Sequence, residues 1–274
     1  MTTTEVLSAP QTDHALGKLP PADYDRTHKL QPATGLRGKI FEGISDWVET
    51  MIARFSLLGD PPVYDNKHFP WVAEVEQDSR KVRAELDSVM KYRDSMPSFQ
   101  DIVKEVALIQ NDNDWKTYFL KGVGMDCEEN AKQCPETMKV LKKIPGLTTA
   151  FFSILSPRKH IPSHRGPWAG VLRLHMALIV PEPTENVRIR IANQVCHWEE
   201  GRCLIFDDTW NHEVWNDTDG HRVVLFIDFE RPLRRPWNWF NHFILNLAPL
   251  APFLREAKNK QRVWELKMWG KKTS

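Results

Sequence analysis

The chain has 274 residues, with 37 basic and 36 acidic side chains and 41% hydrophobic residues. That length suits one well-buried domain with decorations, or at most two small ones, and the near-neutral charge gives no reason to expect a nucleic-acid partner. Eleven Trp is unusually many, and Trp serves ligand pockets and membrane interfaces as well as cores. Residues 1–34, rich in Thr, Pro, Asp and Lys and without an apolar signal region, read as a disordered leader. A cytoplasmic location with reduced thiols follows, although Cys127 and Cys134 stand close enough in sequence to bridge. No Cys-x-x-Cys pair occurs, which argues against a structural zinc site.

Gly35 to Leu58 reads as a helix, because Ile40, Ile44, Trp47, Val48, Met51, Ile52 and Phe55 recur at helical spacing. Packing on the domain and lying on a membrane both suit that pattern. The run Gly59-Asp60-Pro61-Pro62 stops it. Val72 to Met90 reads as a second helix, Pro97 to Gln110 as a short one, Asp114 to Leu120 as a strand, and Cys134 to Ile144 as a helix with Pro135 in its first turn.

The texture then changes. Thr148–Leu155, Val171–Val180, Val187–Ile191, Arg202–Phe206, Glu213–Trp215 and Arg222–Phe229 are short apolar runs separated by Pro, Gly, Asn and Asp. Strands at this spacing predict a barrel or jelly roll, with Glu199-Glu200-Gly201 as a hairpin turn. The chain thus divides into the leader, a helical support region over 35–145 that includes the first core strand, a β-core over 146–232, and an apolar, basic tail over 233–274. Within the tail, 237–254 is apolar but interrupted by Asn, His and Pro, too broken to span a bilayer. Trp237, Trp239 and the flanking Arg and Lys fit peripheral contact with the inner face of a membrane, and burial against the core or a dimer contact fits equally well.

Two of the ten His lie in polar, turn-rich loops beside apolar strands: His164 in Pro162-Ser163-His164-Arg165-Gly166, and His212 after Asp207-Asp208-Thr209-Trp210-Asn211. Two neutral imidazoles suit Fe(II), which oxygen-activating sites commonly hold with two His and one carboxylate. The position two residues after the first His, where that carboxylate would stand, is Gly166.

The blocks Phe152-Ser153-Ile154-Leu155, His164-Arg165-Gly166-Pro167, Leu172-Arg173-Leu174-His175, Trp198 through Asp208, His212-Glu213-Val214-Trp215-Asn216 and Arg222-Val223-Val224-Leu225 resemble, in residues and in spacing, the aspartyl/asparaginyl β-hydroxylases. The resemblance covers residues 114–232. In that family Gly normally replaces the carboxylate ligand. The resemblance implies a mainly β fold with flanking helices and a double-stranded β-helix (jelly-roll, cupin-like) core. It also implies a dioxygenase that uses Fe(II), O2 and the co-substrate 2-oxoglutarate to hydroxylate an unactivated C–H. By the same resemblance His164 and His212 are the catalytic metal ligands. Arg222 is the partner of the distal 2-oxoglutarate carboxylate, and Trp115, Ser153, Arg173 and His175 are further co-substrate contacts. Asp207 and Asp208 are candidates for orienting His212, and a role as turn residues fits them equally well.

The blocks Gly59 to Asp65, Phe69-Pro70-Trp71 and His160 to Gly166 resemble bacterial lipid A hydroxylases, although the membrane helix of those proteins has no counterpart at the N-terminus here. Protein-modifying family members carry an Arg where this chain has Val171. The expected substrate is therefore a fatty-acyl chain on a membrane lipid of the lipid A type. The alternative is an Asp or Asn in a peptide or protein. Halogenation at the Gly site and a non-catalytic binding barrel are the remaining readings.

Overall fold

The computed structural model describes residues 35–109 and 111–270. The leader expected over 1–34 and residues 271–274 of the tail lie outside them. In chain order the elements are α1 (Gly35–Arg54), β1 (Val63–Tyr64), α2 (Val72–Gln77), α3 (Ser79–Met90), α4 (Phe99–Ile102), β2 (Trp115–Gly122), β3 (Met125–Asp126), α5 (Glu128–Gln133) and α6 (Pro135–Leu141). They continue as β4 (Leu147–Leu155), β5 (Lys159–His164), β6 (Val171–Ile179), β7 (Val187–Ile191), β8 (Gln194–His197), β9 (Cys203–Phe206), β10 (His212–Asn216), β11 (Arg222–Glu230), α7 (Trp237–Leu247) and α8 (Pro252–Trp269).

The strands form two antiparallel sheets. The larger runs β1-β9-β6-β11-β4-β2-β3 and the smaller β5-β10-β7-β8. From β4 to β11 the chain crosses between the sheets at every step except the β7–β8 pair, so the two faces close over one interior: a double-stranded β-helix, as expected. Period-two alternation divides the larger sheet's side chains between two cores. Phe152, Ile154, Leu172, Leu174, Met176, Leu225 and Ile227 face outward and pack against Val75, Val82, Leu86 and Val89 of α2 and α3. Phe151, Leu155, Ala177, Phe206, Val224 and Phe226 face inward and meet Val187, Ile189, Ile191 and Val214 of the smaller sheet. Each fully buried aliphatic or Phe side chain in such a core contributes about 1.5–3 kcal/mol.

Two expectations are corrected. The helix over Val72–Met90 is two helices that meet at Asp78, whose φ of −90° and ψ of 3° are not helical. Its carboxylate binds Lys81 and Lys143, each at 2.7–2.8 Å. The Glu199-Glu200-Gly201 turn, with Gly201 at φ +82°, does not join a hairpin. It carries the chain from β8 in the smaller sheet to β9 in the larger. The true tight hairpin lies at Ala192-Asn193 between β7 and β8, with Ala192 at φ +50°. The four cysteines are free thiols, so Cys127 and Cys134 are not bridged. No helix among the described residues is long and apolar enough to cross a membrane.

Candidate active site

His164 ends β5 and His212 begins β10, and the two are directly opposed across that antiparallel pair. Their ring centroids lie 4.1 Å apart. Each ring is fixed through its Nδ1, His164 to the Pro162 carbonyl at 2.7 Å and His212 to the Trp210 carbonyl at 3.0 Å. With Nδ1–H donating to a carbonyl, the proton-free Nε2 of each ring is left as a ligand atom. Burial lowers both imidazoles from their usual range, His164 to about 4 and His212 well below normal, and His164 further disfavours protonation of His212. Two adjacent neutral imidazoles with free Nε2 atoms are a fitting donor set for Fe(II). Among the described residues no group of three or more His, Cys, Asp or Glu could hold a metal, so no third such side chain joins the pair there.

Gly166 sits beside Asp208. Its N–H donates to the Asp208 carbonyl at 2.6 Å, and a Cβ at residue 166 would overlap the Asp208 carboxylate. That carboxylate pairs with Arg173 at 2.7 Å. Burial pushes the Asp208 carboxyl up, opposed by the charge of Arg173. Arg173 Nε also binds Asp228 at 2.9 Å, and its guanidinium lies over the Phe226 ring at 4.1 Å. Two carboxylates therefore hold Arg173. Asp207 bonds Arg231 and Thr209, while the His212 ring is oriented by the Trp210 carbonyl.

A wall of aromatic rings leads from the histidine pair to Arg222. Phe206 lies 5.8 Å from His212 and 5.0 Å from His175. His175 lies 5.9 Å from Trp198, whose ring carries the Arg222 guanidinium at 4.7 Å. Arg222 is 1% exposed, and its Nε and Nη1 have no partner among the described residues. Burial without a counter-ion lowers it from 12.5 to about 9. Both His175 nitrogens, Thr117 Oγ1 and Trp198 Nε1 are likewise buried and unpartnered. Ser153, opposite Val224 on β11, accepts the Trp115 indole N–H at 2.9 Å. A buried guanidinium with unused donors is costly unless an anion meets it, and a carboxylate matches its fork.

The fold therefore gathers His164, His212, Trp115, Ser153, His175 and Arg222 around one interior and places Arg173 at its edge in a carboxylate pair. Sequence reasoning missed Thr117, which period-two alternation from Trp115 could have found, and Trp198. It also missed Arg190, whose alternating strand Val-Arg-Ile-Arg-Ile reads as placing it on the surface.

The family model for "Aspartyl/Asparaginyl beta-hydroxylase" matches residues 76–232. An ornithine lipid ester-linked acyl 2-hydroxylase from Rhizobium tropici is 50% identical over 232 residues, spanning 85% of this chain and 83% of that protein. The chain belongs to the aspartyl/asparaginyl β-hydroxylase family. The human aspartyl/asparaginyl β-hydroxylase is 33% identical over 178 residues, 61% of this chain but 23% of its own length. Among solved structures, a prolyl hydroxylase from Trichoplax adhaerens aligns with 75% of this chain at a TM-score of 0.43 and 13% identity. As a β-hydroxylase family member the chain is a hydroxylase, and its histidine pair and Arg222 both lie inside the matched span.

Proposed function

We propose that this hydroxylase is an Fe(II)- and 2-oxoglutarate-dependent dioxygenase acting on the ester-linked acyl chain of an ornithine-type membrane lipid. The observation that carries the chemistry is the pairing, in one barrel, of two neutral imidazoles with free Nε2 atoms and a buried Arg222 without a counter-ion. His164 and His212 would hold the metal. Arg222 would take the distal carboxylate of 2-oxoglutarate, with His175, Ser153, Thr117 and Trp115 lining the space between. Bound iron supplies oxygen activation coupled to decarboxylation of the co-substrate to succinate. The apolar wall of Phe206, Phe226 and Trp198 keeps water from that space and strengthens the charge interactions inside it. Asp208, held by Arg173 against Gly166, would be the carboxylate available to a water at the metal.

The substrate reading is supported by the half-identity to the Rhizobium acyl 2-hydroxylase over most of both chains. That relative favours an amino-acid-headed lipid over lipid A. The apolar Val171 on β6 agrees. An acidic side chain entering there would lose hydration without a cation to offset it, whereas each buried CH2 of an acyl chain gains about 0.8 kcal/mol.

The test is purified protein with Fe(II), 2-oxoglutarate and air, offered ornithine lipid, lipid A or Asp- and Asn-containing peptides. Succinate release and the mass gain of one oxygen atom are the readouts. Acyl hydroxylation of ornithine lipid is expected, and its loss in His164→Ala and His212→Ala together with loss of Fe(II) binding. Hydroxylated peptides with inert lipids would overturn the substrate. Substantial succinate from His164→Ala would overturn the ligand assignment.

A further inference from the structure

The outer faces of α1 and α7 are apolar where a water-facing surface is usually polar. On α1, Ile40, Ile44 and Trp47 are each 55–57% exposed and share one stripe by helical spacing. On α7, Trp239 (61%), Phe243 (58%) and Leu247 (42%) form a second stripe, continued by Leu250 and Phe253. The stripes meet at an aromatic seam, with Trp237 5.9 Å from Trp47 and 5.4 Å from Phe240. The inner faces are anchored. Val48, Ile52, Ala169 and Leu233 are buried beneath them, with Trp168 partly buried against the cluster. Asn241, 1% exposed, donates to the Gly170 carbonyl at 2.8 Å and accepts from the Trp168 indole at 3.0 Å. The apolar faces are thus turned outward by the fold itself.

Charge says what covers them. From Arg231 to Arg255 the chain contains four Arg and no Asp or Glu. Arg234 and Arg235 are exposed at the head of α7, and Arg235 lies over the Trp239 ring at 5.2 Å. Arg54 is exposed at the end of α1, while Glu42 and Asp46 fall off its apolar stripe. Bulky rings with arginines at their rim suit the boundary between acyl chains and anionic head groups. A second copy of the chain would instead bring the same arginines against each other.

The face also adjoins the site. The loop leaving β5 at His164 is tied to α1 by Arg165, whose Nη2 reaches both Glu49 oxygens at 2.7 Å, and to α7 through Trp168 and Gly170. We infer that α1 and α7 form a docking face that seats the protein on an anionic lipid bilayer, with the barrel mouth against the surface from which an acyl chain rises. The last clause rests on the acyl-lipid reading above; the docking itself does not.

The experiment compares full-length protein with Phe243→Ser combined with Trp47→Ala, and separately with Arg234→Glu combined with Arg235→Glu. None of the four is among the residues assigned to the metal or the co-substrate. Co-sedimentation uses vesicles of phosphatidylcholine alone and mixed equally with phosphatidylglycerol. Wild type should bind the mixed vesicles, less as salt rises, and each double variant should bind about tenfold or more weakly. Both variants should keep wild-type hydroxylation of detergent-dispersed ornithine lipid and lose it for lipid in vesicles. Equal vesicle binding by wild type and variants would overturn the docking face, as would a wild-type dimer that these variants convert to monomer. Vesicle binding through this face by an enzyme that hydroxylates only peptides would overturn the substrate reading and leave the docking face standing.

Discussion

The Asp208 carboxylate fills the space that a side chain at residue 166 would need, and the two residues are also joined by the Gly166 N–H to Asp208 carbonyl bond of 2.6 Å. The absence of a carboxylate after the first histidine is therefore built into the packing. Gly166→Asp should add no metal ligand. It would force two carboxylates into one buried space, so a loss of about 1–3 kcal/mol from overpacking alone is expected, together with reduced turnover. Adding Asp208→Ala should recover part of the stability, because the two changes share one volume. Thermal unfolding and succinate assays read both effects. A stable Gly166→Asp protein with full turnover would refute the shared-space argument.

Arg222 has no anionic partner among the described residues, unlike Arg173 and Arg231, which are paired with Asp208 and Asp207. Arg222→Ala should raise the 2-oxoglutarate requirement at least about thirtyfold, since losing one side of a buried charge pair costs about 2–5 kcal/mol. Fe(II) affinity should change little, as the histidines lie beyond the Trp198–His175–Phe206 wall. An unchanged co-substrate requirement would remove Arg222 from the role.

What could be read from the sequence follows from which signals are local. Six core strands declared themselves by apolar runs such as Val187–Ile191, and the two histidines by the polar loops beside them. The strand Lys159–His164 did not, because Pro162 and its polar neighbours look like a turn; its strand character comes from pairing with β10. Helices α2 and α3 read as one because the apolar period runs through Asp78. Their break depends on Lys143, 65 positions away in sequence. The outward face of α7 was legible as apolar and basic, but its junction with α1 depends on Trp47 and Trp237 meeting in space.

Glu265 on α8 is 5% exposed, beneath α5, where it accepts the Asn130 N–H at 3.1 Å. Burial raises its carboxyl from 4.5 to about 7, opposed by the Asn130 N–H and reinforced by Glu129. The folded-state value exceeds the unfolded one, so its contribution to stability is full below about pH 4.5 and is lost as pH rises through about 7. Glu265→Gln, neutral at all pH, should be more stable than wild type above that window by about 1–3 kcal/mol, with the difference closing below it. Urea unfolding at mildly acidic and mildly alkaline pH measures this. A pH-independent difference would show that Glu265 is not titrating in the fold.

Arg190 of β7 is wholly buried and reaches the residue preceding each metal-site histidine. Its Nη2 donates to Asn211 Oδ1 at 2.8 Å and to Ser163 Oγ at 3.3 Å, and also to Glu213 at 3.1 Å, while Nη1 donates to the Ala192 carbonyl at 2.9 Å. Ser163 in turn bonds Asn211, closing a bridge across the β5–β10 pair that carries His164 and His212. A planar fork can hold that many partners at fixed angles, whereas the lysine ammonium is a point donor. Arg190→Lys should keep a charge opposite Glu213, and so keep the fold, yet loosen the spacing of the two imidazoles. Orienting groups of this kind are worth about 10–100-fold in metal affinity. Arg190→Met would leave Glu213 without its buried cation and should cost about 3–5 kcal/mol of stability, which separates the fold role from the positioning role. Cobalt(II) substituted at the site gives the needed readout, since its visible spectrum follows ligand geometry independently of turnover. A shifted spectrum and weaker binding in Arg190→Lys, with an unfolding midpoint near that of wild type, are expected. An unchanged spectrum and affinity would confine Arg190 to holding the strands together.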